Sequence, residues 1–252
     1  VFILAYGNLA EQLTRVWWPE PAAATAGFVV GGSVLGFGAG LATVALLGDA
    51  IAPATLAFFA VSGALLGSLL RAVLFARDDP LVMLSVALLL WLFADLPLSV
   101  SPTRVAVALA VTVAFGYLSY WLEAASIPGM VTGVLLGLLT IVLGDYGWFA
   151  MLFTFFGVGA LSSKFRYDEK LDRGVAQENE GARGSGNVLA NSLTALVAVV
   201  GFAASRTHVP VSPDVFLYAF AGAVAAAMSD TLSSAIGGLY DGPRLITTLE
   251  AV

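Results

Sequence analysis

No cysteine occurs anywhere in the chain, so no disulfide can hold it together and the redox compartment leaves no trace in its composition. Charge is scarce too. Charged residues make up 11 % of the sequence, where a soluble domain carries about a quarter. Hydrophilic connections are nearly missing, the one extended polar segment being 162–186. What fills the space is hydrocarbon: 59 % of residues are hydrophobic and the mean hydropathy is +0.92. These absences exclude a soluble globular domain and predict an all-α, polytopic transmembrane helical bundle in a lipid bilayer.

Apolar runs of bilayer-crossing length fall at 23–47, 52–76, 80–98, 103–122, 127–144, 146–163, 187–205 and 213–229. Each approaches the roughly 20 residues needed to cross the hydrocarbon, so about eight spans are expected. The connection Gly144-Asp145-Tyr146 is so short that the fifth and sixth spans should form a tight hairpin. Gly31, Gly32, Gly36, Gly38 and Gly40 sit in the first span, where small residues permit close helix contact. Before it, residues 1–6 read as the end of a helix followed by the more polar Gly7-Asn8-Leu9-Ala10-Glu11, and Trp17-Trp18-Pro19 reads as an anchor at headgroup level.

Placing residues 1–21 in the cytoplasm puts Arg15, Arg71, Arg77, Lys164, Arg166, Lys170, Arg173, Arg183 and Arg244 inside, with only Arg104 and Arg206 outside. That positive-inside bias predicts a multi-pass protein of the cell membrane whose 162–186 loop and 229–250 stretch both face the cytoplasm. His208, the only histidine, falls on the outer side, which argues against a histidine metal site or a Ser-His dyad. Acidic residues outnumber basic ones 17 to 11 and only two lysines occur, a balance that resembles the acidic, lysine-poor habit of halophilic archaea. No nucleic-acid partner is expected.

The stretch that carries chemistry is Met228-Ser229-Asp230-Thr231-Leu232-Ser233-Ser234-Ala235-Ile236-Gly237-Gly238, followed by Pro243-Arg244-Leu245-Ile246-Thr247-Thr248-Leu249-Glu250. An apolar run feeds directly into Ser-Asp-Thr, which places a carboxylate where a span meets water, a costly position for it. Thr231 and Ser234 are three apart, hence on one face of a helix, and Gly237 lets backbone approach a ligand. Oxygen ligands, bare backbone and the guanidinium of Arg244 suit a magnesium-bound phosphate, with the Thr247 and Thr248 hydroxyls placed for phosphate oxygens. The plainer alternatives are a helix cap for Asp230, an ordinary turn at Thr247-Thr248 and a solvated side chain for Glu250.

The polar segment 162–186 holds five of the eleven basic residues, nearly balanced by acids, and on charge alone is a solvated loop. Its ending differs. Arg183-Gly184-Ser185-Gly186-Asn187-Val188-Leu189-Ala190-Asn191 puts a guanidinium and flexible backbone ahead of a helix whose first turn offers free amides, an arrangement suited to anions. Asn187 and Asn191 are four apart and share a face. Phe153, Phe155 and Phe156 read as packing or lipid-facing groups, with a prenyl groove as the sharper alternative.

Ser229-Asp230-Thr231-Leu232-Ser233-Ser234 with Pro243-Arg244-Leu245-Ile246-Thr247-Thr248 resembles the signature of an integral-membrane family known as domain of unknown function 92, which includes the plant and cyanobacterial phytyl-phosphate kinases. A looser likeness, an Asp-Thr pair, then Gly, then Pro and a Thr before Glu, runs to CTP-dependent dolichol and phytol kinases and to CDP-diglyceride synthases. Arg183 and Asn191 match the family pattern, while Asn187 stands where Gln is usual, Ser192 where Gly is common and Ala235 where related sequences carry Glu. The resemblance implies a kinase that moves a phosphoryl group from a nucleoside triphosphate, CTP in the first instance, to an isoprenoid monophosphate such as phytyl or geranylgeranyl phosphate. Mg²⁺ would sit on Asp230 and Glu250, with Arg183 and Arg244 on phosphates and Asn187, Asn191, Thr231, Ser234, Gly237, Thr247 and Thr248 orienting oxygens. A CDP-lipid synthase and a lipid transporter without chemistry are the rival readings.

The same resemblance divides the chain into membrane helices over 1–126, in which Gly7–Glu11 faintly echoes Ser229–Ser233 like a degenerate kinase half, and a kinase-like domain over 127–252. Val1 begins inside an apolar run and Val252 stops just beyond the signature. Both ends read as those of a piece cut from a longer protein.

Overall fold

A computed structural model describes residues 1–74, 78–96, 98–176, 184–205, 207–240 and 248, the side chain of Asn187 excepted. Every element among them is helical: α1 (Phe2–Trp17), α2 (Pro21–Leu47), α3 (Pro53–Val73), α4 (Asp79–Asp95), α5 (Pro102–Trp121), α6 (Ile127–Leu139) with a π-helical turn (Thr140–Gly144), α7 (Tyr146–Lys164), α8 (Tyr167–Asp172), α9 (Ser185–Ala204) and α10 (Pro213–Gly237). Prolines open α2 to α6 and α10, where their fixed φ suits the first turn and their missing N–H costs nothing. Ser101 and Ser126 cap α5 and α6, their hydroxyls accepting from the amides of Arg104 and Gly129 at 3.1 and 3.2 Å. Gly48, with φ 73°, ends α2 in the left-handed conformation that favours glycine.

The eight expected spans correspond to α2–α7, α9 and α10. Among the described residues six helices are long and apolar enough to cross a bilayer by themselves, α6 counted with its π turn, while α4 has 17 residues and the apolar part of α9 is 188–204. Two expectations need correction. Residues 1–6 do not end a helix, because the polar residues after them continue it as a single amphipathic helix to Trp17. Ile3 and Gly7, four apart, turn inward, and Arg15 Nη2 donates to Glu11 Oε1 at 2.6 Å one turn on. The last span does not stop at 229 either, since α10 runs on to Gly237 and takes the Ser-Asp-Thr stretch into the helix.

Hydropathy ranks these helices alike, and packing separates them. In α6, 72 % of the apolar core window is buried, against 6 % in α2 and 17 % in α10. α6 is the axis of the bundle, touched by α3, α5, α7 and α9, while α10 lies on α7 and α9 and α1 pairs with α2 at the edge. The main core runs through α3 to α7, α9 and α10, with Phe58, Phe93, Leu138, Ile141, Phe155, Val199 and Phe220 closed to solvent and lipid, and a smaller cluster of Ile3, Ala64 and Val86 joins α1 to α3 and α4.

The chain alternates direction, so its polar contacts sort into two ends. At one end Lys164 Nζ donates to Leu122 O at 2.7 Å, Glu11 lies 3.8 Å from Arg71 and Gly238 abuts Val175. At the other, His208 meets Asp95 at 3.2 Å. There Arg104 Nε also donates to Ile141 O at 2.9 Å and its Nη2 to Gly144 O at 2.6 Å. A π turn leaves carbonyls without regular partners, and this guanidinium supplies them from a helix nearly forty residues away. Arg15, Arg71, Lys164, Arg166, Lys170 and Arg173 gather at the first end, and Arg104 alone among the described basic residues lies at the second.

Candidate functional site

The candidate site begins with a helix pair. Gly201 of α9 lies against Phe216 of α10 so closely that a Cβ there would come within 2.3 Å of the ring. The two helices run antiparallel, so fourteen residues back from Gly201 and fourteen on from Phe216 bring Asn187 and Asp230 to a similar level, roughly 21 Å along the pair. The start of α9 and the end of α10, far apart in sequence, therefore occupy the same basic end of the bundle.

Within α10 the helical period distributes the motif. Asp230 is exposed in the helix interior, seven residues before Gly237, so it is not a helix cap. Ser234, one turn on, is exposed beside it, and Ser233 Oγ donates to Asp230 O at 2.9 Å. Thr231 turns the other way and is buried with Ala235, as Phe220 and Val224 are on earlier turns. Thr231 and Ser234, though three apart, thus face different surroundings. Gly237 closes the helix on its exposed side, and a Cβ there would meet nothing within 4 Å. In α9, Asn191 is half-buried, Val188 is buried and Ser192 Oγ is buried without a hydrogen-bond partner among the described residues. Thr248 is exposed. Arg183, Arg244, Thr247 and Glu250 lie outside the described residues, as does the side chain of Asn187.

Among the described residues no group of three His, Asp or Glu side chains gathers to hold a metal. Asp230 with a neighbouring hydroxyl nevertheless fits magnesium, which keeps several waters and takes one or two carboxylates alongside substrate phosphates.

Next to this end, α8 folds back under α7. Lys170 is 3 % exposed, and its Nζ donates to Ser162 O at 2.6 Å and Ser163 O at 3.1 Å, carbonyls of the last turn of α7. Glu169 holds both Arg166 and Arg173, the latter at 3.1 Å. Sequence reading took this segment for a solvated loop. A buried lysine as a C-terminal cap has no local signal, because its partners belong to another helix.

Desolvation by burial holds the Lys170 ammonium below the usual lysine value of 10.5. Between its folded and unfolded values the unfolded chain binds the extra proton, so its contribution makes stability rise as pH climbs toward 10.5 and level off above. Lys170→Met should remove this rise and, by removing two buried hydrogen bonds, cost about 2 kcal/mol at neutral pH. Denaturation midpoints of wild type and variant in detergent, compared from pH 7 to 11, check both.

A groove opens between α5, α6 and α7, and of the three phenylalanines singled out in the sequence Phe153 and Phe156 line it. Its volume is about 430 Å³, and its walls carry Phe115, Phe149, Phe153 and Phe156, with Lys164 at the basic end. Phe115 and Phe153 meet with centroids 4.0 Å apart and their planes tilted by 39°. Phe155, by contrast, is 1 % exposed and belongs to the core.

A sequence model of the family described as integral membrane protein DUF92 matches residues 110–252. The chain belongs to this family. The match takes in α6 to α10 and most of α5, hence the groove, the α9–α10 pair and the Ser-Asp-Thr stretch alike. Family membership agrees with the apolar helices, and the protein is a multi-pass membrane protein. No curated protein and no solved structure matches the chain.

Proposed function

We propose that this family member is a membrane kinase that phosphorylates an isoprenoid monophosphate at the expense of a nucleoside triphosphate, CTP in the first instance. The observation that carries the reading is the exposed carboxylate of Asp230 on a membrane helix, level with the opening turn of α9 at the basic end. Exposed to lipid or headgroups, a carboxylate on a span costs about 2–3 kcal/mol at mid-bilayer and less near an end, so its placement calls for a cationic ligand. The positive-inside rule puts that end in the cytosol, where nucleotides are.

In this reading an oxygen of the prenyl phosphate attacks the γ-phosphorus, the bond to the β-bridging oxygen breaks, and CDP leaves. The acceptor is already an anion, so no base is needed and Ala235 in the place of a family Glu is tolerated. Mg²⁺ would supply charge neutralisation between the phosphates. Asp230, with Glu250, would hold the cation; Arg183 and Arg244 bind phosphate oxygens, and the Asn187 and Asn191 amides with the Ser234, Thr247 and Thr248 hydroxyls and the bare backbone at Gly237 fix their orientation, while Thr231, buried on the other face of α10, takes no part.

Purified protein incubated with Mg²⁺, geranylgeranyl phosphate and CTP labelled at either the α or the γ position tests the reading. Transfer of γ-label to a prenyl diphosphate supports it. Transfer of α-label to a lipid makes the protein a CDP-lipid synthase instead, and no transfer with any nucleotide leaves a carrier.

A further inference from the structure

Resting on that kinase reading, we infer that the groove between α5, α6 and α7 is the binding site for the hydrocarbon tail of a single-chain prenyl phosphate, with Lys164 as its phosphate anchor. The lining on α7 runs from Phe149 to Lys164, about 22 Å of helix, longer than the roughly 15 Å of one leaflet's hydrocarbon. That length suits one long chain rather than the paired, leaflet-length chains of a bilayer lipid. The volume, about 430 Å³, lies within the roughly 300–1,000 Å³ of sites for one small ligand.

The wall is hydrocarbon even where it carries hydroxyls. Thr112 Oγ1 donates to Ala108 O at 2.7 Å and Ser119 Oγ to Gly116 O at 2.8 Å, so both are satisfied within their own helix. Gly133 in the floor and Gly157 in the wall face open space, since a Cβ at either would meet nothing within 4 Å. The groove is open along its side, and an apolar guest fills it without disturbing a polar group.

Charge fixes the direction of the guest. Lys164 is held over the mouth by its bond to Leu122 O at 2.7 Å, and an ammonium has three donors, so further N–H groups are available to an anion. Val188, in the first turn of α9, lines the same groove, one residue from Asn187. A phosphate on Lys164 thus lies at the end of the bundle where the α9–α10 pair would hold the nucleotide.

Equilibrium binding of radiolabelled geranylgeranyl monophosphate to the whole chain in detergent, without nucleotide, tests the inference apart from the kinase reading. Wild type should bind it, with geranylgeraniol a weaker competitor and inorganic phosphate or phosphatidic acid weaker still. Gly157→Phe and Gly133→Leu, each at a position where an added Cβ meets nothing within 4 Å, should each lower affinity at least tenfold while the melting temperature holds. Lys164→Gln should lower affinity for the phosphate by about tenfold and leave that for the alcohol unchanged. Unaltered binding in both glycine variants, phosphatidic acid competing as well as the prenyl phosphate, or a dimer lost on filling the groove with no tail-dependent binding would each overturn it. Tail binding that the glycine variants abolish, in a protein that transfers no phosphate, would keep the groove and sink the kinase. Turnover indifferent to these variants would do the reverse.

Discussion

Asp230→Asn is expected to reduce phosphoryl transfer by about a thousandfold, roughly 4 kcal/mol of transition-state stabilisation, while the protein folds as before. The carboxylate is exposed, sits inside α10 and caps no helix, so the isosteric amide removes no structural contact that the described residues make with its side chain. Removing a charge from a membrane helix is, if anything, stabilising. Activity and stability should therefore move apart, as happens where a costly group is kept for its chemistry. Steady-state turnover and a melting curve on the same preparation check this, and wild-type turnover in the variant would remove Asp230 from the metal.

The second large effect is structural. At Gly31 a Cβ would lie 2.2 Å from Ala10 Cβ and 3.2 Å from Tyr6 O, so any side chain must push α1 off α2. Seven residues on, at Gly38, nothing lies within 4 Å. Gly31→Leu should cost about 3 kcal/mol through overpacking. Gly38→Leu should be neutral or gain up to about 1 kcal/mol from better helix propensity. The pair of denaturation midpoints in detergent gives the answer, and equal midpoints would mean that α1 and α2 do not pack backbone to backbone. Sequence alone grouped Gly31, Gly32, Gly36, Gly38 and Gly40 as one contact surface. The helical turn divides them, with Gly36 against Ile3 and Gly40 only grazing Leu56 at 3.4 Å.

The candidate residues stand out in the sequence because they cluster along the chain. Ser229–Ser234 announces itself as polar residues at the end of an apolar run, and Asn187 with Asn191 as amides opening the next-to-last helix. What the motif did not disclose is how α10 shares it out, with Asp230 and Ser234 outward and Thr231 and Ala235 inward. That depends on where α7 and α9 lie. Lys164, Lys170 and Arg104 were read only as votes for orientation. Each proves to serve a carbonyl of another helix or another segment, Arg104 across 37 and 40 residues, a pairing no local pattern records.

The sequence by itself determined the solvent and the element list. An apolar chain with few charges must enclose its backbone polar groups in helices when its surroundings offer no water, and prolines and polar breaks mark where those helices start and stop. Which helix became the axis, which faces met, and that a groove would open beside α6 with a lysine at its mouth were decided only by tertiary packing. In a bilayer, lipid-facing and buried surfaces are equally apolar, so hydropathy cannot tell α2 from α6, and only the fit of small residues against large ones can.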